Sequence, residues 1–168
     1  MSKYYVAHNV KQCIGCRACE AQCKVQNNVA RGANYCKMIT IAPRMRSGVP
    51  RFEFVYMACF HCEKPWCVDA CPTSAMQRRD KDGIVFVEAK LCVGCKACIT
   101  ACPWGVPQWD STTGKVGKCN LCMDRIDEGL EPACVSTCIT DALTFTTPGI
   151  DSLMKRQKFA EQLMENRD

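Results

Sequence analysis

The chain has 168 residues, of which 17 are cysteine, and a proportion near one in ten is typical of proteins held together by cysteine chemistry. Its formal net charge is +5, no apolar run reaches the roughly 18 residues of a membrane-spanning helix, and the first residues contain neither an apolar signal core nor a twin arginine. These features predict an intracellular, cytoplasmic chain, in which closely spaced cysteines are more often metal ligands than disulfides.

The stretches between the cysteines predict short strands and short helices. In chain order they predict a strand over 3–8, a helix over 18–27, a hairpin from 38–42 and 52–57 around a turn rich in proline and glycine, and strands over 84–88 and 143–146. We expect a short helix after the third cysteine of each group, with the fourth cysteine on its first turn. Residues 151–166 predict a final helix, with Asp151 as its N-cap and its apolar residues packed on the protein's own body rather than on a partner.

Sixteen of the cysteines form four groups of four. The first and third groups have the spacing C-x2-C-x2-C-x3-C, the second has two extra residues in the middle, and the fourth reads C-x2-C-x11-C-x3-C. In chain order the groups are Cys13, Cys16, Cys19 and Cys23; Cys59, Cys62, Cys67 and Cys71; Cys92, Cys95, Cys98 and Cys102; and Cys119, Cys122, Cys134 and Cys138. Cys36 lies outside every group and is expected to be a free thiol.

This spacing predicts four 4Fe-4S clusters. Three cysteines at close spacing surround one cluster, whereas the fourth points away from it and binds a neighbouring cluster, so the groups work in pairs. The second and third groups both end in Cys-Pro and are paired, which leaves the first to pair with the fourth. The expected ligand sets are Cys59, Cys62, Cys67 with Cys102; Cys92, Cys95, Cys98 with Cys71; Cys13, Cys16, Cys19 with Cys138; and Cys119, Cys122, Cys134 with Cys23.

The pairing predicts an α+β fold in which one two-cluster, ferredoxin-like module is nested inside the sequence of another. The outer module would comprise residues 1–34 and 115–147, and the inner module residues 59–114. A basic hairpin would be inserted over residues 35–58, and a C-terminal helix would occupy residues 148–168. Six lysines and arginines but one carboxylate lie between the first and second groups, so we expect Arg44, Arg46 and Arg51 to dock on a partner.

Other functions fit the sequence less well. Zinc is the alternative metal, but three cysteines at successive two-residue gaps crowd one tetrahedral ion. Four clusters would add about −8 of charge, and no stacking platform accompanies the basic hairpin, so nucleic acid is not an expected partner. His61, between Cys59 and Cys62, is expected to donate a hydrogen bond near a cluster or to face solvent. The sequence contains no nucleophile motif and no phosphate-binding loop, which predicts a non-catalytic protein.

The motifs around the cysteines resemble those of a known family. They are C-F-H-C-E-K-P-W-C-V-D-A-C-P-T-S-A over 59–75, the third group continuing into P-W-G-V-P-Q at 103–108, and K-C-N-L-C-M-D-R at 118–125 leading to P-A-C-V-S-T-C at 132–138. Residues 4–147 resemble the four-cluster electron-transfer subunits of molybdenum and tungsten oxidoreductases, such as dimethyl sulfoxide reductase and formate dehydrogenase. The resemblance implies the same ligand pairing. Because Cys95 stands where some relatives have tryptophan, it also implies four 4Fe-4S clusters and no three-iron cluster.

The resemblance implies that the protein conducts electrons between a molybdenum- or tungsten-pterin catalytic subunit and a flavin or NAD-linked subunit, a ferredoxin or another acceptor. The sequence is shorter than many relatives that meet a membrane anchor, so we expect a complex without a direct membrane span. Short subunits of tungsten aldehyde oxidoreductases are the nearest parallel, followed by those of a formate dehydrogenase or a reductase. The alternatives are an electron-transfer component of a hydrogenase or formate hydrogenlyase, and a free-standing polyferredoxin shuttle.

Overall fold

The computed structural model describes residues 3–165, apart from the side chains of residues 46 and 165. The predictions that extend to residues 1–2 and 166–168 lie partly outside this range. The elements in chain order are β1 (Tyr5–His8), α1 (Ala18–Gln26), β2 (Lys37–Arg46), β3 (Val49–Met57), α2 (Trp66–Asp69), β4 (Met76–Arg78), β5 (Val85–Val87), α3 (Ala97–Ala101), β6 (Gln108–Asp110), β7 (Lys115–Gly117), α4 (Met123–Asp127), α5 (Ala133–Ser136), β8 (Leu143–Thr146) and α6 (Pro148–Glu165). The protein is therefore a small mixture of short helices and strands, as predicted.

Within residues 3–165, the strands pair antiparallel in four two-stranded sheets. β1 pairs with β8, with Tyr5 opposite Thr146, so that two segments from opposite ends of the chain close on each other. β4 pairs with β5, and β6 pairs with β7. The strands predicted over 3–8, 84–88 and 143–146 are confirmed. β4, β6 and β7 were not predicted, because each has only three residues and shows no readable period.

Among the described residues, two buried clusters of side chains form the interior, and cysteines make up half of the first. The first contains Cys19, Cys23, Cys36, Met38, Tyr56, Cys134, Val135 and Leu143. The second contains Met76, Val85, Cys98 and Val116. The first cluster lies where α1 packs against α5, and α2 packs against α3 in the part of the chain that holds the second.

The inserted hairpin is longer than predicted and lies over the first cysteine loop. Ser47 and Gly48 form its two-residue turn, both with positive φ of 51° and 77°, the conformation of the hairpin turns that match strand twist. Its base packs closely, since a Cβ on Gly15 would lie 2.5 Å from the ring of Phe54. Its tip is exposed, with Met45 69% accessible. The hairpin therefore joins an anchored base to a free, basic end.

The short helices differ from the prediction at their start and at the fourth cysteine. Each begins one residue before the third cysteine of its group, at Ala18, Trp66, Ala97 and Ala133. The placement of every fourth cysteine on a first turn is wrong, because Cys23 lies on the second turn of α1 and Cys71, Cys102 and Cys138 follow the ends of α2, α3 and α5. A proline follows both Cys71 and Cys102, and proline disfavours the helical conformation in the residue before it.

The C-terminal helix exists but differs from the prediction in two ways. It begins at Pro148 rather than near Asp151, and the hydroxyl of Thr147 accepts a hydrogen bond from the backbone N–H of Ile150 at 3.4 Å, as an N-cap does. The prediction that its apolar residues pack on the protein's own body is wrong, because Leu153 and Met154 are 65% and 57% exposed. Within residues 3–165, neither this helix nor another combines the length and the apolar character needed to cross a membrane.

Candidate iron-sulfur cluster sites

The first and third cysteine groups share one backbone conformation. In the first, Gly15 and Arg17 have φ of 70° and 62°; in the third, Gly94 and Lys96 have φ of 71° and 65°. Two left-handed residues therefore flank the second cysteine of each loop and turn the backbone sharply before the helix. At Gly94 a Cβ would also lie 2.5 Å from the carbonyl oxygen of Gly114. Position 94 therefore requires glycine both for its left-handed backbone and for this close approach. The repeated loop indicates that both groups surround the same kind of ligand.

Four cysteines from two different groups line one small cavity. They are Cys71, Cys92, Cys95 and Cys98, which is the set that the sequence predicts for one cluster. Three come from the third group, and the fourth comes from the end of the second. Apolar side chains, among them Val87 and Val116, make up most of the remaining lining, together with Thr73 and Lys96. A cavity lined by four thiols and mainly apolar side chains has the chemistry of a cluster site.

A second cavity brings together another predicted set. Cys23, Cys119, Cys122 and Cys134 line it, together with Tyr56 and Leu121. The first group therefore contributes its last cysteine to the three cysteines of the fourth group. Cys59, from the second group, also lies at this cavity.

The structure also places members of the two remaining sets near one another. Burial, with the nearby charges of Cys59 and Cys102, raises the pKa of the Cys67 thiol to about 11. The remaining member of that set, Cys62, belongs to the same loop. In the other set, Cys16 acts electrostatically on Cys19, and the half-buried Cys13 and Cys138 pack against the buried cluster that contains Cys19.

Two of the buried thiols, those of Cys19 and Cys134, fit a metal-bound state better than a metal-free one. Burial raises the pKa of Cys19 to about 11 and that of Cys134 to about 12, so both would be protonated at neutral pH unless a metal stabilises the thiolate. Among the described side chains, no three of cysteine, histidine, aspartate or glutamate converge as the ligands of one ion do. The thiolates of a 4Fe-4S cluster bind four different irons and stand farther apart than ligands about 2.3 Å from a single zinc.

Hydrogen bonds reach several of the cysteine sulfurs. Backbone N–H groups donate at 3.4–3.5 Å from Met76 to Cys71, from Val116 to Cys92, from Leu121 to Cys119 and from His61 to Cys59. Such bonds stabilise the more negative, reduced state of a bound cluster and so raise its potential. The loops thus supply ligands and adjust the chemistry of those ligands with the same backbone.

The two shortest hydrogen bonds from oxygen or nitrogen side-chain donors to cysteine sulfur, among the described residues, were not predicted. The hydroxyl of Tyr56 donates to Cys134 Sγ at 3.2 Å, and Lys118 Nζ donates to Cys59 Sγ at 3.4 Å. Lys118 directly precedes the fourth group, which places it beside Cys119 but does not indicate its contact with Cys59, and nothing in the sequence marks Tyr56. His61 is 1% exposed, so the prediction that it donates near a cluster is retained and the alternative that it faces solvent is wrong.

Comparison with known proteins agrees with this geometry. The family model described as "4Fe-4S dicluster domain" matches residues 50–147, and one described as "4Fe-4S binding domain" matches residues 11–26. The thiosulfate reductase electron transfer subunit PhsB of Salmonella typhi is 44% identical over 146 residues, which are 86% of this sequence and 76% of that protein. The B subunit of the polysulfide reductase of Wolinella succinogenes is 41% identical, over 85% and 75% of the two sequences. The B subunit of the anaerobic dimethyl sulfoxide reductase of Escherichia coli is 38% identical, over 86% and 73%.

Proposed function

We propose, since this protein belongs to the 4Fe-4S dicluster domain family, that it is the four-cluster electron-transfer subunit of an oxidoreductase whose catalytic subunit holds a molybdenum- or tungsten-pterin. It is an iron-sulfur protein that transfers electrons and does not itself catalyse the reaction. The observation that carries the proposal is a pair of cavities, each of which brings together one predicted set of four cysteines drawn from two groups. An isolated cysteine loop has no reason to meet the last cysteine of a distant group unless a shared cofactor requires it.

The nested arrangement of two modules is part of this proposal. The packing of α1 on α5 and the pairing of β1 with β8 support the outer module, residues 1–34 with 115–147. The packing of α2 on α3 and the pairing of β4 with β5 support the inner module, residues 59–114. The β6–β7 hairpin spans the proposed boundary at 114/115 and so connects the modules. The hairpin at 35–58 and the helix at 148–168 would be additions to this core.

All sixteen grouped cysteines are proposed as ligands, in the four sets that the spacing predicts. A 4Fe-4S cluster, when bound, supplies one-electron chemistry with little geometric change. The protein's own residues hold the thiolates in place, exclude water with apolar side chains, and donate hydrogen bonds to sulfur. These are the means by which a protein adjusts the potential of each site.

The names of the relatives include reductases of thiosulfate, polysulfide and dimethyl sulfoxide, which supports a reductase of a sulfur compound as one catalytic partner. An aldehyde oxidoreductase or formate dehydrogenase-like partner, a flavin, NAD-linked or ferredoxin acceptor, and a cytoplasmic location stay predictions. These relatives do not favour the hydrogenase or the free-shuttle alternatives.

Elemental analysis of the native complex, purified without oxygen, tests the proposal. We expect about sixteen irons per copy of this protein, as four cubanes require, together with molybdenum or tungsten. Nickel in place of those metals would indicate a hydrogenase, and iron with no second metal would indicate a free shuttle. Zinc in place of iron would refute the cluster assignment itself.

A further inference from the structure

Lys118 is a buried cation with an unusual set of partners. It follows β7, directly before Cys119, and is 4% exposed. Its Nζ donates to the carbonyl of Val85, to the carbonyl of Cys119 at 2.7 Å and to Cys59 Sγ at 3.4 Å. An ammonium has three donors, so these three acceptors use all of them. None of the three is a carboxylate, and the only one that can carry a negative charge is the sulfur of Cys59.

His61 lies beside Lys118 and reaches cysteines of two different groups. Its backbone N–H donates to Cys59 Sγ at 3.4 Å, and its Nδ1 accepts from the backbone N–H of Val85 at 2.9 Å. The proton of the neutral ring therefore lies on Nε2, which is 4.0 Å from Cys119 Sγ. Burial, and then the charge of Lys118, lowers the pKa of His61 well below its ordinary value, which agrees with the neutral ring that the contact of Nδ1 with the Val85 N–H requires.

These contacts lie where the two proposed modules meet. Cys59 is the first cysteine of the inner module, and Cys119 is the first cysteine of the outer module's second half. Cys59 lines the same cavity as Cys119. Val85, the shared partner of Lys118 and His61, is the first residue of β5 and is 1% exposed. Lys118 of the outer module thus donates to the sulfur of Cys59 in the inner module. In return, His61 of the inner module faces the sulfur of Cys119 in the outer module.

We propose that Lys118 and His61 form a positively charged junction between the two modules, in which Lys118 raises the reduction potential of the cluster bound through Cys59. The inference rests on the proposed function, because it takes Cys59 and Cys119 as ligands of different clusters. A fixed positive charge stabilises the additional electron of a reduced cluster, and burial prevents water from screening it. Lys118 is a positioning residue, because it holds its positive charge against a ligand sulfur. His61 fixes how closely the two modules approach each other.

The test uses the full-length protein with its clusters assembled without oxygen and measures each potential by redox titration followed by electron paramagnetic resonance. Lys118→Met removes the charge and the donors, and Lys118→Gln removes the charge but keeps an N–H donor. We expect both to make the reduction of one cluster at least tenfold less favourable, a fall of about 59 mV or more for a one-electron couple. Cys59→Ser, which alters the spectrum of the cluster bound through that residue, identifies which signal should move.

Lys64→Met is the matched control. Lys64 lies in the same cysteine loop, between Cys62 and Cys67, but it is exposed, so the same loss of charge is screened by water and should leave all potentials unchanged. Four unchanged potentials in an iron-replete Lys118→Met protein would overturn the inference. Equal shifts of all four would also overturn it, as would loss of iron in both Lys118 variants, since that would make the residue structural. An unsubstituted protein that binds no iron would instead overturn the proposed function.

Discussion

Removing the Tyr56 hydroxyl should lower the potential of one cluster and leave the fold intact. In Tyr56→Phe the ring stays in place among buried residues, but the O–H donor 3.2 Å from Cys134 Sγ is lost. A hydrogen bond to a charged acceptor contributes about 1.5–3 kcal/mol. If about a third of that is gained only when the cluster is reduced, the potential falls by roughly 20–40 mV, because 1.4 kcal/mol corresponds to about 59 mV for one electron.

The assay is a redox titration of the four clusters in the variant and in the unsubstituted protein. Only the cluster that Cys134 binds should move, and iron content should stay the same because the ring still fills its place. Tyr4→Phe is the control, since the ring of Tyr4 packs on Phe145 with centroids 5.1 Å apart and its loss of a hydroxyl should not alter any potential. An unchanged potential at the Cys134 cluster, or an equal shift in Tyr4→Phe, would show that this hydrogen bond does not act on the cluster.

Three further perturbations test the ligand sets, the hairpin and a buried ion pair. Cys138→Ala should damage the cluster held by Cys13, Cys16 and Cys19 while the two inner clusters remain, as measured by iron content and spectroscopy; loss of the inner pair would refute the nesting. Arg44 and Arg51 face each other across β2 and β3, and their like charges repel, so an acidic partner subunit would be attracted to the pair. The double substitution Arg44→Gln with Arg51→Gln should weaken binding to such a partner at least several-fold and reduce the salt dependence of binding. Unchanged binding would make the hairpin a solvated surface. Asp82 forms an ion pair with Arg79 at 2.5 Å. Burial acts to raise the pKa of Asp82, but with the hydrogen bonds from Arg79 and from the Ile84 N–H the pKa is lowered overall. The stabilisation from this ion pair is therefore present above the ordinary aspartate pKa and is lost as the pH falls through the lowered pKa. Asp82→Asn should cost about 1–3 kcal/mol of stability at neutral pH, measured as faster loss of iron on heating. Below the lowered pKa the substitution should have no such cost.

The cysteine spacing predicts the ligand sets because cluster chemistry imposes that spacing locally, and these sets stay a prediction. The spacing of Cys92, Cys95 and Cys98 reflects what one loop can wrap, and Gly94 is needed at a left-handed position. Strands such as β1 and β8 were also readable, since their residues alternate or are β-branched. Where sequence and structure agree, the cause of the pattern lies within a few residues.

The features that could not be predicted depend on residues far apart in the sequence. Tyr56 reaches Cys134 across 78 positions, and Lys118 reaches Cys59 across 59. Neither distance is encoded in spacing, and a lysine is among the last residues expected in an interior. The exposure of Leu153 also depends on what lies opposite α6, which its apolar periodicity cannot reveal.

The cysteines and the clusters they would bind also contribute to the stability of the fold. Four of the eight buried residues of the first cluster are cysteines, among them Cys23 and Cys134, and these take positions that aliphatic side chains occupy in an ordinary core. A thiol buries less apolar surface than leucine or isoleucine, so burial alone stabilises this interior less. Burial also opposes the ionisation of Cys134, one of the thiols that line the cavities, so iron would supply both the missing contacts and the stabilisation of charge there. Binding of the cofactor is on this argument part of the folding free energy, and the hydrogen bonds from Tyr56 and Lys118 to sulfur belong to the core as much as to the redox chemistry.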